Sequence, residues 1–396
     1  MKTKDEHLVQ AYALIEDPLF IYRVGKKIQE LGLVDDIRNG LIIFLACLTA
    51  YLDDKVSILI MGASSSGKST RLEKPIMLFP SESVIKRASF SRKAFAYGEG
   101  SLDKKILYIN EYRGGREPQL LLRILQSDGA IAHEYTQGGK TQVVQRVGSP
   151  VVLTTTSEKR VLDDDSTRFL TIKIEQNPDQ ILAVLKASLL GAGEPKELHL
   201  KVWRQAIRLL ASKAEKPFDL PGWFEYIAEK VPRDEPRAMR DWKRWLALVK
   251  ATSLCRPQSG SRNKVTFADY CVAYQILNPA LTATVHALSE GELAIQKTVS
   301  RLANKKGRAV TAAEVQERLG WNQSATYRYL LRAVKAGLIR YEGGTRETNV
   351  KPVLPIAEVA STFLPSPKRL LNHVRNIEDS LEFVDPFTGA QKRMHR

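Results

Sequence analysis

The chain has 396 residues, 43% hydrophobic and 26% charged, which is typical of a globular protein with two or three domains. Its 60 lysines and arginines outnumber its 44 aspartates and glutamates, and the net charge of +16 favours a polyanionic partner such as nucleic acid over a merely soluble basic protein. The three cysteines are widely spaced and the six histidines are scattered, which excludes a disulfide framework and a clustered zinc site.

The amino-terminal segment lacks the apolar stretch of a secretory signal. The longest uncharged run, residues 39–52, is shorter than the roughly 18–20 residues that span a bilayer, so it predicts a buried helix. We therefore expect a cytoplasmic protein without a membrane partner. Apolar residues recur at helical spacing over residues 5–52, which predicts a helical collar, residues 1–54.

The apolar run Val56–Met61 is followed by GASSSGKS, which fits the phosphate-loop motif G-x-x-x-x-G-K-[ST] without a mismatch. In this motif backbone N–H groups cradle phosphates, Lys68 reaches the β- and γ-phosphates, and Ser69 ligates Mg²⁺. A chance glycine- and serine-rich turn is the alternative. The pattern predicts a site for ATP and Mg²⁺, with these candidate residues: Gly62, Ala63, Ser64, Ser65, Ser66, Gly67, Lys68, Ser69 and Thr70.

A strand over residues 83–88 and a helix over residues 92–96 are predicted next, followed by the strand Ile106–Ile109. Asn110 and Glu111 end that strand, which we expect to be adjacent to the phosphate-loop strand. A carboxylate at this edge can take the proton of an attacking water, so Glu111 is the candidate catalytic base. An ordinary acidic strand end is the alternative. Asn110 could hold the metal's water shell only through water or a weak amide contact.

A helix over residues 118–126 precedes two strand-like runs, residues 131–136 and 141–147. The runs flank Gln-Gly-Gly-Lys, which predicts a hairpin with Lys140 at its tip. From the turn alone, Lys140 is either a mobile contact residue or part of a plain solvated turn.

The buried strand Val151–Thr156 is predicted to lie beside the phosphate-loop strand. A hydroxyl at its end, from Thr156 or Ser157, could sense the γ-phosphate. Arg168 follows an acidic turn and precedes the strand predicted at residues 170–174, which suits an arginine finger acting in a neighbouring subunit. A local ion pair between Arg168 and residues 163–165 is the alternative.

Residues 178–290 are predicted to be mostly helical, with a dense basic set before the helix at residues 243–251. One of these cations could reach the nucleotide from a helical lid. The alternative, which is more common for such a cluster, is a helix face exposed to solvent. The set consists of Arg237, Arg240, Lys243 and Arg244.

The order of elements in residues 291–350 is that of a winged helix-turn-helix. Thr311 is predicted to cap a helix over residues 312–319, and the second helix spans residues 324–336. The predicted buried stripe is Tyr327, Leu330, Leu331 and Val334. The predicted outward face, suited to a DNA groove, is Gln323, Thr326, Arg328, Tyr329, Arg332 and Lys335. Use of the module for protein contacts is the alternative. Residues 355–396 are expected to be a basic, partly disordered tail with one docking helix.

Together these motifs resemble the AAA+ ATPases, especially the ATPase region of phage- and plasmid-type DNA primase–helicases, which relate to MCM and superfamily III helicases. The stretches that carry the resemblance are DPLF, GASSSGKST, INE, LRILQSDG before QGGK, GSPVVLTTTSEKR and STRFL. The resemblance implies an α/β P-loop AAA+ core with an N-terminal helical collar, a helical lid and a C-terminal winged helix. The implied domains are residues 1–54, 55–178, 179–290 and 291–354, followed by the tail at 355–396.

The resemblance also assigns roles to single residues. It implies that Lys140 grips single-stranded DNA in a central pore, that Arg168 is the trans-acting finger, and that Thr156 or Ser157 is the sensor. Arg240, or Arg244 as second choice, matches the sensor arginine of the lid. Asn110 departs from the usual Asp, and the sensor position lacks the usual Asn. No zinc-ribbon or primase-type domain precedes the collar, so we do not expect priming activity.

These features predict a ring-forming, hexameric ATPase that translocates on DNA and unwinds it during replication of a mobile genetic element. In this hypothesis the winged helix binds duplex through Arg328, Arg332 and Lys335. The alternative is an ATP-switched protein that binds an origin or promoter, as an initiator or helicase loader, without unwinding activity of its own.

Overall fold

The computed structural model describes most of the chain. The described residues are 2–34, 36–87, 100–111, 129–137, 140–158, 168–174, 178–189, 197–231, 238–285, 290–335, 338–341, 349–352, 364–374 and 380–395. The helices predicted at residues 92–96 and 118–126 lie outside this part of the chain.

The amino-terminal segment is helical, as its periodicity predicts. It forms α1 (Lys2–Ile15), α2 (Phe20–Glu30) and α3 (Ile37–Leu48). Every residue of α3 from Gly40 onward is buried, which explains its uncharged sequence. In the described part of the chain, no helix is long and apolar enough to cross a membrane.

A parallel sheet of five short strands lies at the centre of the fold. In chain order the strands of this region are β1 (Ile58–Met61), β2 (Val84–Arg87), β3 (Ile106–Ile109), β4 (Ala130–Gln137), β5 (Lys140–Val147), β6 (Val151–Thr156) and β7 (Leu170–Lys173). The sheet has the order β2-β3-β6-β1-β7, and β4 and β5 form a separate hairpin. The aliphatic runs of β1, β3 and β6 are almost entirely buried, as expected for strands covered on both faces.

The strand register fixes which residues meet at the carboxyl edge of the sheet. Met61 lies opposite Thr156 on one side and Lys173 on the other. The prediction that β6 lies beside β1 is therefore confirmed. The expectation that the strand bearing Glu111 is adjacent to β1 is wrong, because β3 pairs with β2 and β6, and β6 separates it from β1.

The hairpin of β4 and β5 is present, and its pairing runs from Ala130 opposite Val147 to Gln137 opposite Lys140. The base of the hairpin contacts the residues just before β3. Leu102 N donates to Val147 O at 2.9 Å. Gly148 has a φ of +107°, and a Cβ there would lie 2.2 Å from Asp103 N, so this position requires glycine. The hairpin is thus anchored to the segment that precedes β3.

A set of helices follows the sheet in the chain. With the helix of the phosphate loop they are α4 (Lys68–Ile76), α5 (Pro178–Leu189), α6 (Glu197–Ala214), α7 (Phe224–Glu229), α8 (Ala238–Leu254) and α9 (Phe267–Val285). Strands β8 (Phe218–Asp219) and β9 (Asn263–Lys264) form a small parallel pair. One hydrophobic core includes residues of the amino-terminal helices, the sheet, α4 and the helices α6 to α9, with Trp245 and Tyr270 fully buried in it.

Residues 290–352 have a separate hydrophobic core. The elements are α10 (Glu290–Lys306), β10 (Val310–Thr311), α11 (Ala312–Leu319), α12 (Gln323–Lys335), β11 (Ile339–Tyr341) and β12 (Asn349–Pro352). The predicted cap at Thr311 is confirmed, because its Oγ1 accepts from Glu314 N and the Glu314 carboxylate accepts from Thr311 N. The three strands form a sheet in the order β10-β12-β11.

The predicted buried face of α12 is wrong at two of its four residues, whereas Val334 packs against the core as predicted. Tyr327 is 39% exposed and Leu331 is 58% exposed, whereas Thr326 and Tyr329, which we expected to face outward, are buried. Leu330 is buried as predicted. The Tyr329 ring lies over Gly291 of α10, and the Thr326 hydroxyl donates to Asn322 O at 3.0 Å. A small polar residue that satisfies its hydroxyl locally gives no hydrophobic signal, which explains the error.

The described residues of the carboxyl-terminal segment form regular secondary structure. It contains α13 (Pro367–His373) and a hairpin of β13 (Ser380–Val384) and β14 (Gln391–His395). Leu370 and Leu371 are buried in the main core, and Tyr270 donates a hydrogen bond to Pro365 O. The predicted docking helix is therefore confirmed, and the other described residues of this segment include a hairpin. The rest of the predicted disordered tail lies outside the described residues.

Candidate functional site

The phosphate loop joins the end of β1 to the start of α4. Gly67 immediately precedes the helix with a φ of +74°, a conformation that favours glycine. Gly62 N donates to Thr156 O at 3.3 Å. A Cβ at Gly62 would lie 2.9 Å from Ser66 Oγ and 3.0 Å from Ile174 O. Gly67 is thus favoured by its left-handed backbone and Gly62 by its close neighbours, and the loop is fitted closely against the ends of β6 and β7.

Lys68 lies across this loop. Its Nζ donates to Gly62 O at 2.9 Å and to Ala63 O at 2.6 Å. The loop residues Ala63, Ser64 and Ser65 and the helix residues Ser69 and Thr70 are exposed. Ser66 Oγ is buried without a hydrogen-bond partner among the described residues. A lysine, the amino end of α4 and a tight glycine loop form a site that fits a phosphate group.

Three more predicted residues lie at the same edge of the sheet. Asn110 and Glu111 are exposed directly after β3, and Ser157 is exposed directly after β6. Ser157 Oγ donates to Glu111 Oε1 at 3.3 Å. The Thr156 side chain is instead buried, and its Oγ1 accepts from Glu158 N at 3.2 Å. The geometry therefore favours Ser157 over Thr156 as the hydroxyl available to a ligand.

Two residues of this region were missed by sequence reasoning. The Tyr108 hydroxyl donates to Glu73 Oε1 at 3.5 Å, and burial raises the pKa of Tyr108. Arg71 is buried under the phosphate loop, with its Nη1 donating to Ser66 O at 2.7 Å. A single tyrosine in an aliphatic strand, and an arginine one helical turn after the motif lysine, were the available signals.

A second cluster of charges lies at the opposite edge of the sheet. Ser57, Pro150 and Arg168 precede β1, β6 and β7, and all three line a cleft of about 340 Å³. Because the strands are parallel, these positions lie at the amino edge. We call this cleft the arginine cleft. Its charged lining consists of Asp53, Asp54, Lys55, Arg168, Arg240, Lys243 and Arg244.

The arginine cleft contains two residues predicted to act on nucleotide, Arg168 and Arg240. The cleft is separated from the phosphate loop along β1 by five residue-to-residue steps of extended chain, from Ser57 to Gly62, which corresponds to about 16 Å. Arg240 thus lies beside Arg168 and away from the phosphate loop of its own chain. The alternative for Arg168 is a local ion pair with residues 163–165. Those residues lie outside the described part of the chain.

The predicted DNA contacts lie on two other elements. Lys140 is the first residue of β5, next to the hairpin tip. Arg328 and Arg332 are exposed on α12, with their guanidinium carbons 4.9 and 5.6 Å from the Tyr329 ring centroid. Lys335 is the last residue of α12. The exposed Tyr327 and Leu331, which we expected to be buried, extend the surface around the two arginines.

The three cysteines are buried and free. Burial raises the pKa of each thiol, for Cys271 to about 12. Among the described residues, no group of histidine, cysteine, aspartate and glutamate could hold a metal by itself. A metal at the phosphate loop would therefore need ligands such as the Ser69 hydroxyl together with oxygens of a bound nucleotide.

Comparisons with known proteins give one family match and a structural similarity. A full-length MCM homologue from Methanopyrus kandleri is similar in structure, with 11% sequence identity, a TM-score of 0.41, and coverage of 69% of this chain and 62% of that one. The alignment thus spans less than two thirds of the archaeal protein. No curated protein matches the sequence. The family described as the MTBMA_p00010 P-loop domain matches residues 7–211, which include the phosphate loop, the whole parallel sheet and Arg168. Since this match covers more than half of the chain, the protein belongs to the MTBMA_p00010 P-loop domain family.

Proposed function

We propose that the protein is an AAA+-type ATPase that forms a ring, hydrolyses ATP between subunits and translocates on DNA. The observation that carries the proposal is the separation of two charged sites on one sheet. The phosphate loop, Glu111 and Ser157 lie at the carboxyl edge, and Arg168 and Arg240 lie at the amino edge. Each chain thus carries two complementary halves of an active site that it cannot join by itself.

The carboxyl edge supplies the groups for nucleotide binding and proton transfer. The loop N–H groups and Lys68 would hold the phosphates, and Ser69 would hold Mg²⁺, with Asn110 in its water shell. Bound Mg·ATP supplies the phosphoanhydride bond whose hydrolysis releases energy. Glu111 would accept the proton of the attacking water, and the hydrogen bond from Ser157 would hold its carboxylate in place.

The amino edge supplies cations to a second copy of the chain. Arg168 would stabilise charge at the neighbour's nucleotide, and its position beside Arg240 in one cleft supports a shared role for the two arginines. A head-to-tail interface of this kind generates a ring when its rotation closes, and we propose six subunits. Exposed apolar side chains on α5, which follows β7 at the phosphate-loop edge, would be covered by such a neighbour: Ile181, Leu182, Val184, Leu185 and Leu189.

The remaining modules would contact DNA. We propose that Lys140, at the tip of the hairpin, grips single-stranded DNA in the ring. The three helices and three-stranded sheet of residues 291–354 would form a winged helix that binds duplex through Arg328, Arg332 and Lys335. Residues 1–54, 55–178 and 179–290 would be collar, ATPase core and lid. We also propose that the protein acts in the cytoplasm, in the replication of a mobile genetic element.

A fork-unwinding assay with the purified protein tests this function. The wild type should separate a forked duplex in the presence of Mg·ATP. Lys140→Ala should retain ATP binding and lose unwinding, whereas Lys26→Ala, a change on the collar, should unwind normally. Full unwinding by Lys140→Ala would contradict the proposed role of the hairpin.

The second candidate is an ATP-switched initiator, loader or promoter-binding protein without unwinding activity. Two observations favour it: Asn110 replaces a metal-shell carboxylate, and α12 presents an exposed basic and aromatic surface. In that case the protein should bind duplex DNA in an ATP-dependent manner and leave the fork intact. The same assay therefore separates the two functions.

A further inference from the structure

Arg71 is a buried cation below the phosphate loop. It lies one turn into α4 and is only 6% exposed. Its Nη1 donates to Ser66 O at 2.7 Å, and its Nε donates to the Asp36 carboxylate. The two side chains of this ion pair are 7% and 12% exposed, so both charges are largely removed from water. The pair thus joins the loop to the start of α3.

The contact with Ser66 O constrains the shape of the loop. In a planar trans peptide the carbonyl and the following N–H point in opposite directions. Holding Ser66 O toward Arg71 therefore directs the Gly67 N–H away from Arg71. A Cβ at Gly67 would lie 2.9 Å from Arg71 Nη1, so the guanidinium is in close contact with the left-handed residue before α4. Arg71 thus holds the peptide at the point where the loop becomes the helix.

Asp36 ties this arrangement to the collar. It immediately precedes α3 and is held at its other oxygen, since Oδ1 accepts from Asn39 Nδ2 at 2.8 Å. A chain of contacts therefore runs from the start of α3 through Asp36 and Arg71 to the carbonyl of Ser66. Lys68 takes no part in it, because its ammonium group bonds to Gly62 O and Ala63 O.

We propose that Asp36 and Arg71 are positioning residues that set the phosphate loop for nucleotide, so that the collar is part of the nucleotide-binding device. This inference rests on the proposed nucleotide binding. A buried ion pair contributes little net stability compared with apolar packing, so stability alone is a weak reason for placing one here. Because the ion pair holds the loop carbonyl Ser66 O, it has a role in nucleotide affinity. Changes near Asp36 should therefore alter the dissociation constant for nucleotide.

The test is the dissociation constant for a fluorescent ATP analogue with Mg²⁺, measured on the full chain. Hydrogen bonds to charged groups account for roughly tenfold to a hundredfold in an equilibrium constant. Arg71→Met should weaken binding by about that factor, and Arg71→Lys by about tenfold, because an ammonium group cannot replace the planar fork. Asp36→Asn, which is nearly isosteric, should weaken binding by about threefold to tenfold.

A control within the collar is the more exposed ion pair of Arg23 and Asp17, whose side chains are 52% and 18% exposed. Arg23→Met should leave the dissociation constant unchanged. Thermal unfolding with and without nucleotide separates positioning from stability, because the variants should lose much of the nucleotide-induced rise in Tm. If Arg71→Met does not fold, Asp36→Asn and Arg71→Lys decide the question.

Wild-type affinity in both Asp36→Asn and Arg71→Lys would overturn the inference. A lower Tm without nucleotide, combined with unchanged affinity, would also overturn it and leave the pair a purely structural role. Failure of the wild-type chain itself to bind the analogue would instead contradict the proposed function, so the two failures are distinguishable.

Discussion

The two edges of the central sheet differ in how they are encoded. The carboxyl edge contains a contiguous motif, and its loop, lysine and helix follow one another within residues 62–76. The amino edge collects Lys55, Arg168 and Arg240 from three distant parts of the chain. The first can be located from sequence spacing alone, whereas the second exists because parallel strands bring their starting ends together and α8 packs its cations against them.

This difference has a functional consequence. A site built from consecutive residues can bind its ligand in a single chain, and the phosphate loop has this property. The arginine cleft has cations in excess of its two carboxylates, Asp53 and Asp54, and lies about 16 Å from the phosphate loop of its own chain. We propose that it meets an anion brought by another molecule, and the predictions below test the two edges separately.

The largest expected effect is at the amino edge. Arg168→Ala should lower the ATPase kcat by about 10³-fold or more, the usual effect of losing an arginine finger, with nucleotide affinity retained. Lys68→Ala should abolish nucleotide binding. Mixed assemblies of the two variants should regain activity, because the intact loop of one subunit meets the intact arginine of another. Steady-state ATPase assays over a range of mixing ratios measure this, and no recovery at any ratio would place both residues in one subunit's site.

At the carboxyl edge, Glu111→Gln should lower kcat by about 10²- to 10⁴-fold, the range for loss of a general base. The KM for ATP should change little, because the phosphate loop is intact. Glu158→Gln, a change near the same edge, is the control and should stay within about twofold of the wild type. Equal losses in the two variants would indicate that charge at this edge matters and that Glu111 has no special role.

The hydroxyl next to Glu111 should give a smaller effect. Ser157→Ala removes the donor to Glu111 Oε1 and should lower kcat by about tenfold, consistent with the loss of one hydrogen bond to a charged group. Thr156→Val is the matched control, since the Thr156 hydroxyl is buried and bonded to Glu158 N. Single-turnover ATPase rates compare the two variants, and a larger loss in Thr156→Val would reverse the assignment of the sensor.

Sequence reasoning was most successful where the signal was local. The core strands β1, β3 and β6, the hairpin and the cap at Thr311 were predicted within two residues of their observed positions. It failed where side chains of distant segments decide the outcome. The position of β3 in the sheet depends on where β6 inserts, and the face of α12 depends on the fit of Tyr329 over Gly291. The link from Arg71 to Asp36 joins residues 35 positions apart, which no helical or strand period reveals.

The smallest expected effect concerns Asn110, where the carboxyl edge departs from the usual acidic residue. The backbone of Asn110 is fixed independently of its side chain, because its N–H donates to Arg87 O and its carbonyl accepts from Thr155 Oγ1. Asn110→Asp should therefore leave the fold unchanged and add one exposed carboxylate beside Glu111. Since a charged acceptor holds metal-bound water more strongly than an amide, the Mg²⁺ concentration for half-maximal ATPase should fall by about threefold to tenfold. Asn110→Ala should raise it. A Mg²⁺ titration of ATPase activity measures both, and an unchanged midpoint in the two variants would show that Asn110 lies outside the metal's water shell.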